Sequence, residues 1–174
     1  MRPEAASPPP TAKPLANDPR LWPQREALKA ALQYPAIAGT VFDSLPVECF
    51  SDSSYAAVRE AISRAGGTAA GLSGATWVDT VSQAVDSPVL GPLVTELAVE
   101  EMPVSEENLP KYILSVLARS QEVWVGVQIA DIKSKLRRMS PGGDPDAYNA
   151  LFGDLVALES YRRSLLEQAF DNSD

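Results

Sequence analysis

The sequence contains no histidine and a single cysteine, Cys49. Histidine is the usual general base at neutral pH and the commonest zinc ligand, so its absence excludes hydrolytic triads and histidine-containing metal sites. One cysteine cannot form an internal disulfide, and this indicates a reducing compartment. Because Cys49 has no base near it in the sequence, we expect a small buried apolar side chain and not a nucleophile.

Three other features are missing. No glycine-rich stretch ends in the Lys-Ser/Thr pair of a phosphate-binding loop. No apolar run approaches the roughly 18 residues of a membrane span, and the N-terminus lacks the hydrophobic core of a signal peptide. We therefore expect a cytoplasmic protein with no metal, no cofactor, no membrane contact and no catalytic residues in this chain.

Positive charge is absent from one long stretch. The net charge of the chain is −8, which argues against the chain as a whole wrapping nucleic acid, and we expect no direct sequence-specific binding of nucleic acid. Residues 65–110 contain no Lys or Arg. We interpret this stretch as a solvated acidic surface, with a docking face for a basic partner as the alternative, and the pairs Glu100-Glu101 and Glu106-Glu107 as surface charge. The carboxylates of the stretch are Asp79, Asp86, Glu96, Glu100, Glu101, Glu106 and Glu107.

Residues 1–19 hold six of the 15 prolines in the chain, among Ala and Ser. Such a composition cannot build a core, so a flexible linker is predicted, and its place suggests that something larger precedes Met1. After the linker, no run alternates apolar and polar residues, and no strand is predicted. We predict an all-α fold, a bundle of about six helices followed by a projecting antiparallel helical hairpin.

Capping residues and helix breakers predict the helix boundaries of the bundle. Three short helices come first, and a loop is expected over residues 66–74. Ser73 and then Ser87-Pro88 are expected to cap the next two helices, and Gly91-Pro92 to kink or shorten the second of them. Asn108 is expected to cap a long helix.

The last third of the chain, residues 108–170, is predicted to be two long helices folded back on each other about a turn at Gly142 and Gly143. A first helix from about Leu109 to Met139 would be roughly 45 Å long, so its far end should project. Apolar residues at spacings of four and three predict the seam between the helices. The seam residues are Val125, Ile129, Ile132, Leu136, Met139, Tyr148, Leu151, Leu155, Leu158 and Leu165.

The apolar face of the long helix changes width along its length. Its first half is apolar over most of its girth, which is typical of a helix inside a bundle, whereas beyond about Gln128 the apolar face narrows to a single seam. We therefore expect a bundle subdomain over residues 20–127 and a hairpin subdomain over residues 128–174, with the long helix shared between them.

The last helix carries a second apolar stripe, one position round from the seam. One partner helix cannot bury both stripes, so the second is expected either to pack on the bundle or to form a docking site for another protein. Arg162 and Arg163 are interpreted either as solvated charges or as interface anchors. The candidate docking residues are Phe152, Val156, Arg162, Arg163, Leu166 and Phe170.

Four stretches of the chain carry a family resemblance. They are RLWPQREALKAALQYP at residues 20–35, AAGLSGATW at 69–77, SKLRRMSP at 134–141 and ALFGDLVALESYRRSLLEQ at 150–168. Together they resemble the C-terminal helicase-binding domain of bacterial primase, DnaG, in its actinobacterial form. The resemblance covers roughly residues 20–170 and is a run-by-run likeness rather than a short diagnostic motif.

The resemblance implies a helical bundle and terminal hairpin that dock on the N-terminal domain of the hexameric replicative helicase, DnaB, and recruit primase to the replication fork. In that family the hairpin is needed for stable binding and the bundle modulates the helicase. Some members also bind the acidic tail of single-strand-binding protein through a basic pocket on this domain. Synthesis of RNA primers resides in parts of the family protein outside this chain, so no enzyme activity is expected here.

Two other functions remain open from the sequence. The N-terminal domain of the replicative helicase shares the bundle-plus-hairpin shape, but a helicase is expected to continue into an ATPase domain, whereas this chain stops at Asp174. The second alternative is a free-standing dimeric helical adaptor that never meets a helicase.

Overall fold

The computed structural model describes residues 18–139 and 143–171, and within these ranges every element of regular secondary structure is a helix, with no strand. The predicted linker therefore lies outside the described residues except for Asp18 and Pro19, and so does Gly142 of the predicted turn. The α-helices are α1 (Trp22–Gln33), α2 (Pro35–Asp43), α3 (Ser53–Arg64), α4 (Gly67–Gly71), α5 (Trp77–Ala84), α6 (Gly91–Val99), α7 (Leu109–Arg138) and α8 (Pro145–Asp171), with 3₁₀ turns at Val47–Cys49 and Glu106–Asn108.

Helices α1, α2, α6 and α7 each carry a proline in the first turn, where its missing N–H costs no hydrogen bond. Helix α3 begins differently, because the Asp52 carboxylate accepts hydrogen bonds from the backbone N–H groups of Ser54 and Tyr55 at 2.9 and 3.2 Å. Asn108 precedes α7 as predicted, but its side chain makes no capping bond.

The predicted loop over residues 66–74 is wrong, because Gly67–Gly71 forms α4. Gly66, with φ of 102°, ends α3 in the left-handed region. The Asp43 carboxylate, which comes from the end of α2, then accepts hydrogen bonds from the Thr68 N–H and hydroxyl at 3.1 and 2.7 Å. A residue distant in sequence thus supplies the cap, and no local pattern signals it.

The predicted starts of the next two helices are also wrong. Helix α5 begins at Trp77 and not after Ser73, and α6 begins at Gly91 and not after Ser87-Pro88. The Trp77 indole N–H donates to the Ala31 carbonyl at 3.2 Å, so α5 starts where its first side chain reaches α1. Gly91-Pro92 opens α6, so the helix is shorter than its predicted start would make it, and it is not kinked because a proline is tolerated in a first turn.

The bundle core forms between α1, α2, α3, α5, α6 and the first third of α7. Burial of its apolar side chains is the main driving force for this packing. The charged side chain of Arg59 is also buried there: its guanidinium lies 5.0 Å from the centre of the Phe42 ring and donates to the Asp43 and Leu45 carbonyls. The largest fully buried apolar side chains are Leu28, Phe42, Leu45, Tyr55, Val58, Ile62, Val81, Val94, Leu97, Ile113 and Leu117.

Helix α7 changes partner along its length. Its buried residues belong to the bundle core up to Leu117 and to a second apolar cluster, shared with α8, from Ala118 onward. Trp124 still packs against the bundle, so the two environments overlap over about two turns. The change begins N-terminal to Gln128, the residue at which the apolar face narrows in the sequence, and the division of the chain into two subdomains at that point stays a prediction.

Helix α8 runs antiparallel to α7 and returns to the bundle at its C-terminal end. The Ser115 hydroxyl near the start of α7 donates to the Ala169 carbonyl near the end of α8 at 2.9 Å. Farther out, Lys133 of α7 pairs with Glu159 of α8 at 2.7 Å. Among the described residues, no helix has both the length and the apolar composition that a membrane span requires.

Candidate functional site

A buried polar network lies at the centre of the bundle. Arg25 of α1 donates to the Tyr55 hydroxyl at 3.2 Å and pairs with Glu96 at 2.8 Å and with Glu100. Burial by itself lowers the pKa of Arg25, but its hydrogen bonds to Glu100, Tyr55 and Glu96 outweigh burial and raise that pKa above its usual value. Glu100 is therefore not simple surface charge, and this part of the sequence interpretation is wrong. The guanidinium holds the pKa of Glu100 below its usual value.

Lys29, one turn along α1, extends the network. Its ammonium is buried and lies 2.8 Å from Glu26, 3.2 Å from Glu100 and 2.9 Å from the Glu101 carbonyl. The Tyr112 hydroxyl donates to Glu26 at 2.8 Å, and burial together with this carboxylate raises the pKa of Tyr112. Every polar side-chain atom buried in the described residues has a hydrogen-bond partner. Such a satisfied network supports structure.

The carboxylates of the acidic stretch at residues 65–110 are thus partly neutralised by Arg and Lys side chains from other parts of the chain. Glu96 and Glu100 face α1, and Arg64 pairs with Asp86 at 2.6 Å. The carboxylates that remain exposed as an acidic surface are Asp79, Glu101, Glu106 and Glu107.

Cys49 is buried, and burial raises the pKa of its thiol to about 12. A protonated thiol is a poor nucleophile and a poor metal ligand. In the described ranges, no group of three or more Cys, Asp and Glu side chains is arranged to hold a metal ion.

The structure brings most of the predicted seam together between α7 and α8. Val125, Ile129, Ile132, Leu155 and Leu165 are buried there with Ala118 and Ala169, and Leu136, Leu151 and Leu158 pack against them half-buried. Two predicted seam residues lie outside this cluster, namely Met139, which is half-buried, and Tyr148.

Tyr148 belongs to the outer surface of α8. It is 44% exposed and stacks on Phe152 one turn later, with ring centres 6.5 Å apart and planes 8° from parallel. Tyr148 lies in the first turn of α8, and α7 ends at Arg138. The spacing of three from Tyr148 to Leu151 suggested a seam position, but the Tyr148 ring lies beside Phe152, four residues along the helix.

Arg162 interrupts the apolar seam because it meets a buried carboxylate. Its guanidinium lies 2.7 and 2.8 Å from Glu122 of α7, whose side chain is 8% exposed. The same guanidinium lies over Gly126, where an added Cβ would be 3.6 Å from the Arg162 Cζ. Arg162 thus joins the two helices, whereas its neighbour Arg163 is exposed.

The second apolar stripe of α8 is largely uncovered. Phe152 is 50% exposed and Val156 is 53% exposed, so the bundle does not cover this end of the stripe. Leu166 is half-buried, and Phe170 is 65% exposed at the end of the helix. The exposed aromatic stripe formed by Tyr148, Phe152 and Val156 lies near the tip of the hairpin, which is the end farthest from the bundle.

A groove of about 300 Å³ opens where the hairpin meets the bundle. Trp22 and Tyr112 meet edge to face there, with ring centres 6.3 Å apart, and Arg119 provides an exposed cation. The sequence did not predict this groove, because its walls come from three separate helices. The lining residues are Pro19, Trp22, Pro23, Tyr112, Ser115, Val116, Arg119, Ala169 and Phe170.

Comparison with known proteins identifies the family. The model of the family described as DNA primase DnaG DnaB-binding matches residues 24–151. The chain belongs to this family. The match favours the primase interpretation of the sequence over the helicase N-terminal domain and over the free-standing adaptor.

Relatives in the family are DNA primases of actinobacteria. The chain is 63% identical to the DNA primase of Mycolicibacterium smegmatis over 93% of its own length and 26% of that protein. It is 62% identical to the DNA primase of Mycobacterium tuberculosis, over 97% of its own length and 27% of that protein. It is 35% identical to the DNA primase of Streptomyces coelicolor, over 83% of its own length and 23% of that protein. The chain thus spans about a quarter of the length of these relatives.

A solved structure shows a similar fold. It is the helicase binding domain of primase from Mycobacterium tuberculosis, which superimposes with a TM-score of 0.76 at 64% sequence identity. The similarity covers 87% of this chain and 94% of that domain.

Proposed function

We propose that this chain is the helicase-interaction module of a bacterial primase. It docks on the N-terminal domain of the replicative helicase DnaB and so recruits primer synthesis to the replication fork in the cytoplasm. The observation that carries the proposal is the family match over residues 24–151, together with an uncovered aromatic stripe on α8. Primer synthesis itself belongs to the remainder of a full-length primase, and this chain contributes attachment.

The hairpin is suited to attachment because its own contacts hold it in shape. An apolar cluster fills the space between α7 and α8, and the Glu122–Arg162 and Lys133–Glu159 pairs cross it. A rigid helix surface loses little conformational entropy on binding, so more of the contact energy appears as affinity. Helix-in-groove recognition uses apolar anchors at such spacings on one helix face.

Within this surface the candidate residues have different roles. Phe152 and Val156 are the exposed apolar anchors, and Arg163 and Leu166 continue the same helix face toward the bundle. Phe170 lies at the far end, where it also lines the groove beside Trp22. Arg162 supports the hairpin from within through Glu122.

The test is binding of the chain to the isolated helicase N-terminal domain, measured by calorimetry. Phe152→Ser combined with Val156→Ser should lower the affinity about a hundredfold, since truncating two anchors that the partner buries removes roughly 3 kcal/mol of binding energy. Val89→Ser combined with Val99→Ser is the matched control, because both valines are exposed on the bundle. Circular dichroism should show all variants to be folded.

Two results would contradict the proposal. If the unaltered chain does not bind the helicase domain, the chain is not its docking module. If both double variants bind as tightly as the unaltered chain, the α8 stripe is not the docking surface.

We also propose that the groove at the base of the hairpin binds a second partner, the acidic tail of single-strand-binding protein. Its aromatic walls suit an apolar side chain, and Arg119 is an exposed cation in its lining. Three other bundle cations are engaged internally, Arg25 and Lys29 with carboxylates and Arg59 with carbonyls. Arg119→Glu should weaken binding of a tail peptide about tenfold or more through like-charge repulsion, and equal binding would remove this partner.

A further inference from the structure

Basic charge is concentrated in one short segment near the tip of the hairpin. Residues 133–138, at the end of α7, hold four of the 15 Lys and Arg residues and no carboxylate. This segment carries +4, so the rest of the chain carries −8 − 4 = −12. Placing four cations side by side costs repulsion, and a nearby opposite charge relieves it.

The hairpin itself neutralises only part of this charge. Lys133 pairs with Glu159 and Lys135 with Asp131, all four side chains being about half exposed, and such surface pairs are weak. Arg138 bonds the Ser134 carbonyl and hydroxyl, which carry no net charge. For Arg137, no hydrogen-bond or ion-pair partner exists within the described ranges. Among the described residues, these two guanidinium groups thus pair with no carboxylate.

The basic segment adjoins the aromatic stripe. Ala130, Lys133, Leu136 and Arg137 line a shallow groove of about 430 Å³ along α7. Across the hairpin, Phe152, Val156 and Glu159 share one face of α8 by their spacing of four and three, and Glu159 bonds Lys133 of the groove. The basic groove and the apolar stripe are therefore two halves of one surface.

We propose that this two-part surface recognises an amphipathic helix of the helicase N-terminal domain with carboxylates along one edge of its apolar face. Arg137 and Arg138 pair with the carboxylates, while Phe152 and Val156 cover the apolar residues. The inference rests on the proposed function and adds the chemistry of the partner.

Charge and shape together favour this occupant. A partner helix with only apolar residues would cover the stripe but would also remove water from the cations of the groove. Dehydrating those cations is costly unless carboxylates of the partner pair with them. Arginine pairs with carboxylates in bidentate geometry, which fixes orientation as well as strength. Complementary charge also speeds association at low salt, which suits a primase that must find a moving fork.

The experiment measures association of the chain with the helicase N-terminal domain by surface binding, at about 50 and 300 mM salt. Arg137→Glu combined with Arg138→Glu should weaken binding about tenfold or more at the lower salt, chiefly through a slower association rate. Lys111→Glu combined with Arg64→Glu makes the same change of charge on the bundle and should alter affinity by less than about threefold. The difference between the two pairs should shrink at the higher salt.

Each outcome decides something different. If the unaltered chain does not bind at all, the proposed function fails. If it binds and both charge-reversal pairs weaken binding equally, the partner senses only net charge and the inference is overturned while the proposed function stands. The inference also fails if Arg137→Glu with Arg138→Glu abolishes self-association in sedimentation, or binding of a single-stranded oligonucleotide, and leaves helicase binding intact.

Discussion

Two neighbouring arginines on α8 occupy different environments. The Arg162 guanidinium lies against a buried carboxylate, whereas the Arg163 side chain extends into solvent. An exposed arginine contributes little to stability, but one that covers a buried charge is costly to remove, because the charge is left without a partner. The position of Glu122 on the facing helix, and not the residue type, makes the difference.

We expect Arg162→Ala to lower the free energy of unfolding by about 2 kcal/mol, because Glu122 would stay buried without compensation. Arg163→Ala is the matched control and should change stability by less than about 0.5 kcal/mol. Urea unfolding followed by circular dichroism measures both. Equal losses in the two variants would show that the Glu122–Arg162 pair contributes nothing beyond surface charge.

At the scale of elements, the short helix α4 depends on its neighbours. Five residues are too few to form a stable helix alone, so its conformation comes from packing against α2 and α5. Gly71 is required at its end, since an added Cβ would lie 2.8 Å from the Pro35 Cβ and 2.9 Å from the Trp77 ring. In contrast, Gly153 of α8 faces open space.

Two glycine substitutions should therefore have opposite effects. Gly71→Ala should destabilise the fold by about 1–3 kcal/mol, because both neighbours of its Cβ belong to packed elements. Gly153→Ala should stabilise the chain by up to about 1 kcal/mol, since alanine is the better helix former and meets no atom there. Thermal melting of both variants checks the pair, and a stable Gly71→Ala protein would mean that α4 moves aside freely.

At the scale of the whole molecule, the buried network joins distant parts of the bundle. Arg25 and Lys29 of α1 reach residues more than 70 positions away, at the end of α6, and Glu26 accepts a hydrogen bond from Tyr112 of α7. Helix α1 is thus connected to α6 and α7 through charged groups, and these groups must stay ionised to keep their ion pairs and hydrogen bonds.

Acid should weaken this connection. Hydrogen bonding to Arg25 places the folded-state pKa of Glu100 below its unfolded value of about 4.3. The stability it contributes is thus complete above that value and is lost as the pH falls through the folded pKa. We expect Glu100→Gln to be less stable than the unaltered chain at neutral pH and to lose less stability between about pH 5 and pH 3.

Urea unfolding at each pH measures this difference. Glu106→Gln, which changes an exposed carboxylate, should follow the unaltered chain at every pH. If Glu100→Gln also follows it, the network does not account for acid sensitivity.

Patterns that are local in the chain were enough to predict the all-α fold class. A helix places apolar residues at spacings of three and four on one face, and such a face packs against a neighbouring helix. This spacing indicated the seam, which contains Val125, Ile129 and Ile132 on α7 and Leu155 and Leu165 on α8. The uncovered stripe at Phe152 and Val156 follows from the same periodicity, since two stripes exceed what one partner can bury.

Only the tertiary structure decided which residues that are distant in the sequence pair with each other. The contact of Arg25 with Glu100 spans 75 positions, and no periodicity links the two, so Glu100 looked like surface charge. Four other features likewise depend on which elements pack together. They are helix α4, the exposed position of Tyr148, the Glu122–Arg162 pair and the groove beside Trp22. Local spacing determines which face of a helix is apolar, whereas long-range packing determines what that face and its charged neighbours contact.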